Sequence, residues 1–187
     1  MNTKSHISLD IEDIVEPNFP ADPTLLLHPI IPKPLHGTNP RTIMGQKKWD
    51  VVRKEAYARN NYHCFACGIH RNDVTPRQIL HAHEQYDIDY GRGKVSFRGV
   101  IALCPQCHDL IHSQRYDALF DKGEINLEDA WLLERHKEMV LQDLVREEYQ
   151  GEVAKWEDWH LEIDGEKYYS KFANEKEWRE FYGTKKT

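Results

Sequence analysis

All four cysteines of this 187-residue chain fall in two CxxC pairs, Cys64 with Cys67 and Cys104 with Cys107. Each pair places two sulfurs on one tight turn, and two pairs supply the four thiolates of a tetrahedral site. The start, MNTKSHISLDIEDIVEP, is polar and acidic. It lacks the apolar core of a secretion signal, so the expected compartment is the cytoplasm, where such cysteines bind metal rather than pair as disulfides. The expectation is a structural Zn²⁺ on Cys64, Cys67, Cys104 and Cys107. No run of about 18 apolar residues is present, so no membrane partner is expected.

The cysteines bound the rest of the argument. Thirty-six residues separate Cys67 from Cys104, more than a simple zinc ribbon uses, so the gap must hold structure of its own. The stretch 63–112 also carries six of the eleven histidines. Gln78 to His83 alternates as a strand, Gly91 to Gly93 reads as a turn, and Lys94 to Leu103 is rich in β-formers. Together these predict a hairpin-like unit with a long loop. Pro105 to Arg115 follows as a helix, with proline in its first turn. His108 and His112 lie four apart and so share one face of it.

The net charge of −6 is unfavourable for a nucleic-acid binder, but its distribution is uneven. Residues 41–115 carry 12 basic and 7 acidic side chains, net +5, whereas 116–187 carry 11 and 19, net −8. The basic excess coincides with the Cys/His region, where a phosphate backbone would have to lie.

The flanks are different in kind. Residues 1–40 hold seven of the nine prolines, which rules out a long helix or central strand and predicts an extended strap. Gly45 to Asn60 reads as a helix that delivers the chain to Cys64, with Trp49, Val52 and Ala56 at helical spacing. Asn126 caps a helix expected to run to about Glu148. Asp164 and Gly165 form a hairpin turn, and Asn174 caps a last short helix. The aromatics Trp156 to Phe181 are expected to give the C-terminal unit a small core of its own.

The order CxxC, a strand carrying adjacent His83 and Glu84, then LCPQCHDLIH resembles the HNH endonucleases of the ββα-metal (His-Me finger) class, over roughly residues 49–115. The resemblance implies an α+β fold: a zinc-stapled ββα-metal (HNH-like) core with flanking helices, an extended Pro-rich N-terminal arm over 1–44, the zinc-binding domain over 45–122 and an acidic, aromatic-rich hairpin–helix unit over 123–187. In that family one residue of a strand-end pair binds a metal and its neighbour is the general base. His83 then takes the metal-ligand position and Glu84 the base position, so both count as catalytic. His108 and His112 take the helix ligand positions. Three imidazoles suit Zn²⁺, Ni²⁺ or Mn²⁺ better than Mg²⁺ as a second metal. Arg92, Lys94, Arg98 and Arg115 are the candidate phosphate contacts, and His81 a spare ligand or supporting group.

Two positions depart from the family pattern. The base histidine is Glu84, and the asparagine that orients it is replaced by Gly99. A carboxylate has no tautomer to fix, so the two departures are compatible. The function implied is hydrolysis of nucleic acid, DNA above all, in phage biology or host defence. The competing expectation is a non-catalytic HNH-like zinc module that binds nucleic acid, or a protein through its acidic C-terminal unit. A third is two closed structural metal sites.

Overall fold

The computed structural model describes residues 20–74, 79–112, 116 and 119–183. Its centre is one mixed sheet in the order β1-β2-β3-β4, with β1 His81–Asp89, β2 Lys94–Leu103, β3 His160–Ile163 and β4 Glu166–Tyr169. β1 and β2 form an antiparallel hairpin, and β3 joins β2 in parallel, with Val95 opposite Leu161. Helix α1, Pro40–Arg59, lies against β2. Helix α2, Pro105–Ile111, follows β2 directly, and α3, Leu127–Leu141, packs on α2. Helix α4, Glu175–Gly183, closes the described chain.

Local chemistry explains most of the element starts. Asn39 caps α1 by accepting from Thr42 N–H at 2.9 Å, with Pro40 in the first turn. Gly45, at φ 75° and ψ 161°, breaks α1, so the regular helix begins after it. Trp49 and Ala56 bury the inner face of α1 against Val100, and Arg59 donates to the Val100 carbonyl at 2.7 Å. Asn126 accepts from Asp129 N–H and Asn174 from Glu177 N–H, as the sequence predicts for both caps. Asp164 (φ 52°) and Gly165 (φ 84°) make the β3–β4 turn with both central residues left-handed.

Four expectations need correction. β1 does not end at His83; it runs on to Asp89, because Tyr86 and Ile88 continue the alternation and pack with Val95 and Phe97. The long loop shrinks to Tyr90–Gly93, and His83 and Glu84 stand inside the strand. α2 ends at Ile111 with His112 as its C-cap, and Arg115 lies outside the described residues, as does Gln78. α3 stops at Leu141 instead of Glu148: Gln142 turns left-handed (φ 46°), and the chain is drawn back to the β1–β2 turn. There Tyr149 stacks on Tyr90 and Ala154 N–H donates to the Tyr90 carbonyl at 2.8 Å. The C-terminal unit keeps an aromatic cluster of Phe172, Trp178 and Phe181 around Tyr182, but Trp159 and β3 leave it for a shared core. Leu161, Ile163 and Trp159 share one cluster with Val95 of β2 and Leu35 of the N-terminal strap.

The described part of the proline-rich segment is a packed strap. Asp22 N–H donates to the Phe65 carbonyl, and two short 3₁₀ turns, Pro23–Leu27 and Lys33–Leu35, insert Leu26 and Leu35 into two different core clusters. His36 fastens the strap to α4, with Nε2–H donating to the Ile31 carbonyl and Nδ1 accepting from Trp178 Nε1–H. Residues 1–19 of the predicted arm lie outside the described residues.

Among the described residues the sheet carries one irregularity, and it falls beside Gly99. Gln85 pairs with Gly99 but Tyr86 pairs with Phe97, so Arg98 is an extra residue in a β-bulge. Gly99 has φ 133°, a conformation that side-chain-bearing residues rarely adopt. Nothing lies within 4 Å of a Cβ built there, so the constraint comes from the backbone. Gly99→Asn should therefore destabilise the protein by about 1–3 kcal/mol. That is several degrees in Tm at this chain length. A thermal melt within one degree of wild type would show that the bulge does not need glycine.

Candidate metal centres

The first centre grows out of two tight turns. Gly68, at φ 78°, lets its N–H donate to the Cys64 carbonyl while Cys64 N–H donates to the Ile69 carbonyl, so both sulfurs of the first pair face inward. Cys104 caps α2, its sulfur accepting from Cys107 N–H at 3.4 Å. The four sulfurs gather within 4.8 Å of one another, and all four residues are buried. Cys67 Sγ and Cys104 Sγ are 3.7 Å apart. A tetrahedron with metal–sulfur bonds of about 2.3 Å has edges of about 3.8 Å, so the cluster already has the size of a metal site.

Its electrostatics point the same way. Hydrogen bonds from Cys104 and then Cys107 hold the Cys67 thiol far below the ordinary thiol range. Cys107 is driven well above it by Cys104, then Cys64 and Cys67. Four thiols this close cannot ionise together, and a dication in the place of their protons removes the conflict. His136 on α3, which sequence reasoning did not single out, supports the site. Its Nε2 lies 3.1 Å from Cys107 Sγ and 3.9 Å from Cys104 Sγ, placed to donate to a thiolate.

The second centre joins β1 to α2. His83 on β1, His108 within α2 and His112 at its C-cap bring one ring nitrogen each within 4.8 Å of the others. Ring centroids are 5.2 Å apart for His83 and His112 and 4.6 Å for His108 and His112. His83 is 5% exposed, and neither of its nitrogens has a hydrogen-bond partner. Burying an imidazole this way is costly unless something accepts its lone pair. Burial first, then the charges of His28, His108 and His112, pushes its pKa down to about 3, which leaves the neutral, ligating form at ordinary pH.

His28 of the strap was not foreseen in this group. It stands edge-on to His83 with centroids 5.4 Å apart. Its Nδ1–H donates to the Pro29 carbonyl at 3.0 Å, and its Nε2 accepts from Tyr86 N–H at 3.1 Å, beside the bulge. Both nitrogens are thus engaged, and His28 positions His83 rather than ligating. His81 stands edge-on to His108 at 4.9 Å and is outside the group of three.

Glu84 follows His83 and points to the opposite face of β1, the side where its partner Val100 meets α1. Both residues nevertheless border one cavity of about 450 Å³. Burial raises the Glu84 pKa above the usual carboxylate value, and Arg41 partly opposes the shift. The predicted phosphate contacts are not gathered here. Arg92 lies beside the β1–β2 turn and pairs with Asp89, Lys94 with Glu162 and Arg98 with Asp87. Six strand residues, roughly 20 Å at the rise of a β-strand, separate His83 from the turn that carries Arg92 and Lys94, whereas Arg98, in the bulge opposite Gln85 and Tyr86, does not line the cavity.

Acid should destabilise the fold through these imidazoles. A histidine with a lowered folded pKa stays neutral where the unfolded chain is protonated, so stability is full above about 6.5 and falls as pH drops toward 3. His28 and His36 shift in the same direction, each chiefly by burial. A bound metal keeps the sign, since a ligating imidazole must be unprotonated. His83 contributes up to about 1.4 kcal/mol per pH unit. Melting curves from pH 7.5 to about 5 should show a steeper acid limb for wild type than for His83→Leu. Superimposable profiles would remove His83 as the cause.

No family model, no curated protein and no solved structure matches this chain. Among the described residues no helix is long and apolar enough to cross a membrane.

Proposed function

We propose that this protein is a metal-dependent HNH-like endonuclease that hydrolyses DNA phosphodiester bonds. The observation that carries the reading is His83: a buried imidazole, with both nitrogens unpartnered, grouped with His108 and His112 and sharing with His112 and the carboxylate of Glu84 the wall of one cavity. Zn²⁺ is the structural metal proposed for the cysteines, and Zn²⁺, Ni²⁺ or Mn²⁺ for the histidines. A divalent ion held by the histidines would supply Lewis acidity toward a phosphoryl oxygen and its leaving group. The chain's own residues do the rest. In this reading His28 and the β-bulge fix His83, the α2 geometry fixes His108 and His112, and Glu84, which borders the same cavity from the other face of β1, accepts a proton from the attacking water. Its raised pKa makes it a stronger base than an exposed carboxylate, as general-base work near neutral pH requires.

The test is nicking of supercoiled plasmid with Zn²⁺, Ni²⁺, Mn²⁺ and Mg²⁺ in turn, comparing wild type with Glu84→Ala. Cleavage that depends on metal and on Glu84 supports the reading, and absence of cleavage with every ion removes it. A second reading, a non-catalytic zinc module that binds a partner, is favoured by the ion pairs that already occupy Arg92, Lys94 and Arg98. It predicts one or two metals per chain and no cleavage.

A further inference from the structure

We infer that Arg146, from the acidic C-terminal third, is the anion-recognising residue of the histidine centre, and that the cavity receives a phosphoryl group carried on a nucleotide-sized moiety. The inference rests on the metal-site reading of His83, His108 and His112.

Arg146 borders the same cavity as His83 and His112. Its Nε is buried without a hydrogen-bond partner, and among the described residues it makes no ion pair, although Glu147 and Glu148 follow it in sequence. Arg146 as a whole is half-buried, so one guanidinium nitrogen is withdrawn from water without an acceptor on the side of the group where a ligand would bind. His28 of the strap lines this cavity as well, so Arg146 shares it with His28, His83 and His112. The backbone around it is pinned rather than loose. Tyr149 stacks on Tyr90 with centroids 4.8 Å apart, its hydroxyl donates to the Glu152 carbonyl, and Ala154 N–H donates to Tyr90.

Charge and size then select the ligand. Among the cavity's lining residues Glu84 is the sole carboxylate and Arg146 the sole guanidinium. A dication on the histidines would leave the cavity with a formal excess of two positive charges. A phosphoryl oxyanion offsets that excess, and its paired oxygens match the fork of an arginine. The remaining walls include Ile30, Ile31, Leu35, Val95 and Leu161, which suit a base or sugar face and not a second charge. The volume of about 450 Å³ fits one nucleotide-sized group, as at a strand end or an extruded position.

The test is calorimetric titration of the metal-loaded full chain with inorganic phosphate and with thymidine 5′-monophosphate, for wild type, Arg146→Gln and Arg146→Lys. Metal content and thermal melts are measured in parallel. Wild type should bind both ligands, the nucleotide at least tenfold more tightly. Arg146→Gln should lose at least tenfold in affinity for each at unchanged metal content, and Arg146→Lys should recover part of it. Undiminished phosphate binding by Arg146→Gln, or none by wild type, overturns the role of Arg146. Equal affinity of wild type for the two ligands overturns the nucleotide-sized moiety. The nuclease reading fails separately: a protein that binds phosphate through Arg146 yet never nicks DNA keeps this inference and loses that function.

Discussion

Stripped of the metal proposed for its four cysteines, the protein should lose its cooperative melting transition. Among the described residues the largest core cluster has twelve buried members, and four of them are Cys64, Cys67, Cys104 and Cys107. The others include Leu26 from the strap, Ile101 and Leu103 from β2 and Val140 from α3, so this cluster joins most of the molecule. A structural zinc contributes about 10–16 kcal/mol of apparent binding free energy. A domain of ordinary stability has only about 5–15 kcal/mol in total. Loss of the metal leaves crowded thiols whose proton demands conflict, and the hydrophobic remainder is too small to offset them. A strong chelator, or Cys107→Ala, should therefore abolish the thermal transition while metal content falls. A chelated protein that still melts cooperatively within a few degrees of the loaded form would show that the cysteines only pack.

Glu84→Gln should lower the rate of metal-dependent cleavage by about 10²–10⁴-fold without loss of metal from either centre, the usual cost of removing a general base. The substitution keeps shape and hydrogen-bonding atoms and deletes the proton acceptor. Glu84 is not one of the grouped ligands, so metal content should not change. Melting temperature should hold or rise slightly, because the carboxylate is half-buried and its pKa is raised by that burial. The pH–rate profile gives a second readout. The wild-type rate should rise with pH through the Glu84 pKa, above the usual carboxylate value, and that limb should vanish in the variant. Unchanged cleavage by Glu84→Gln would remove Glu84 as the base while leaving the histidine centre standing.

The strand explains the glycine at position 99. At φ 133° the position carries the β-bulge, and the bulge leaves Tyr86 N–H to be taken by His28. His28 in turn stands against His83. Orientation of the site thus passes through a histidine on the strap, from the other side of the chain's sequence. Under the proposed function, with Glu84 as the base, the group that would need fixing is His83, and this arrangement would fix it.

What the sequence determined by itself was local. The two CxxC turns, the i, i+4 pair His108 and His112, the caps at Asn126 and Asn174 and the turn at Asp164 and Gly165 all depend on contacts within a few residues. The side-chain type and backbone preference of such positions are enough to specify them. The tertiary structure decided everything that required distant segments to meet. It placed β3 in parallel beside β2, which drew Trp159, Leu161 and Ile163 into a core shared with Val95 and Leu35. It brought His28 and Arg146, 118 residues apart, to the same cavity, and His136 to the cysteines. Nothing near these three residues in the sequence marks them, because which surface a strap, a strand or a returning loop covers depends on the apolar faces left over once the local elements have formed. The basic residues that sequence position favoured, Arg92, Lys94 and Arg98, pair with Asp89, Glu162 and Asp87, carboxylates that the β1–β2 turn and the adjacent strands place beside them.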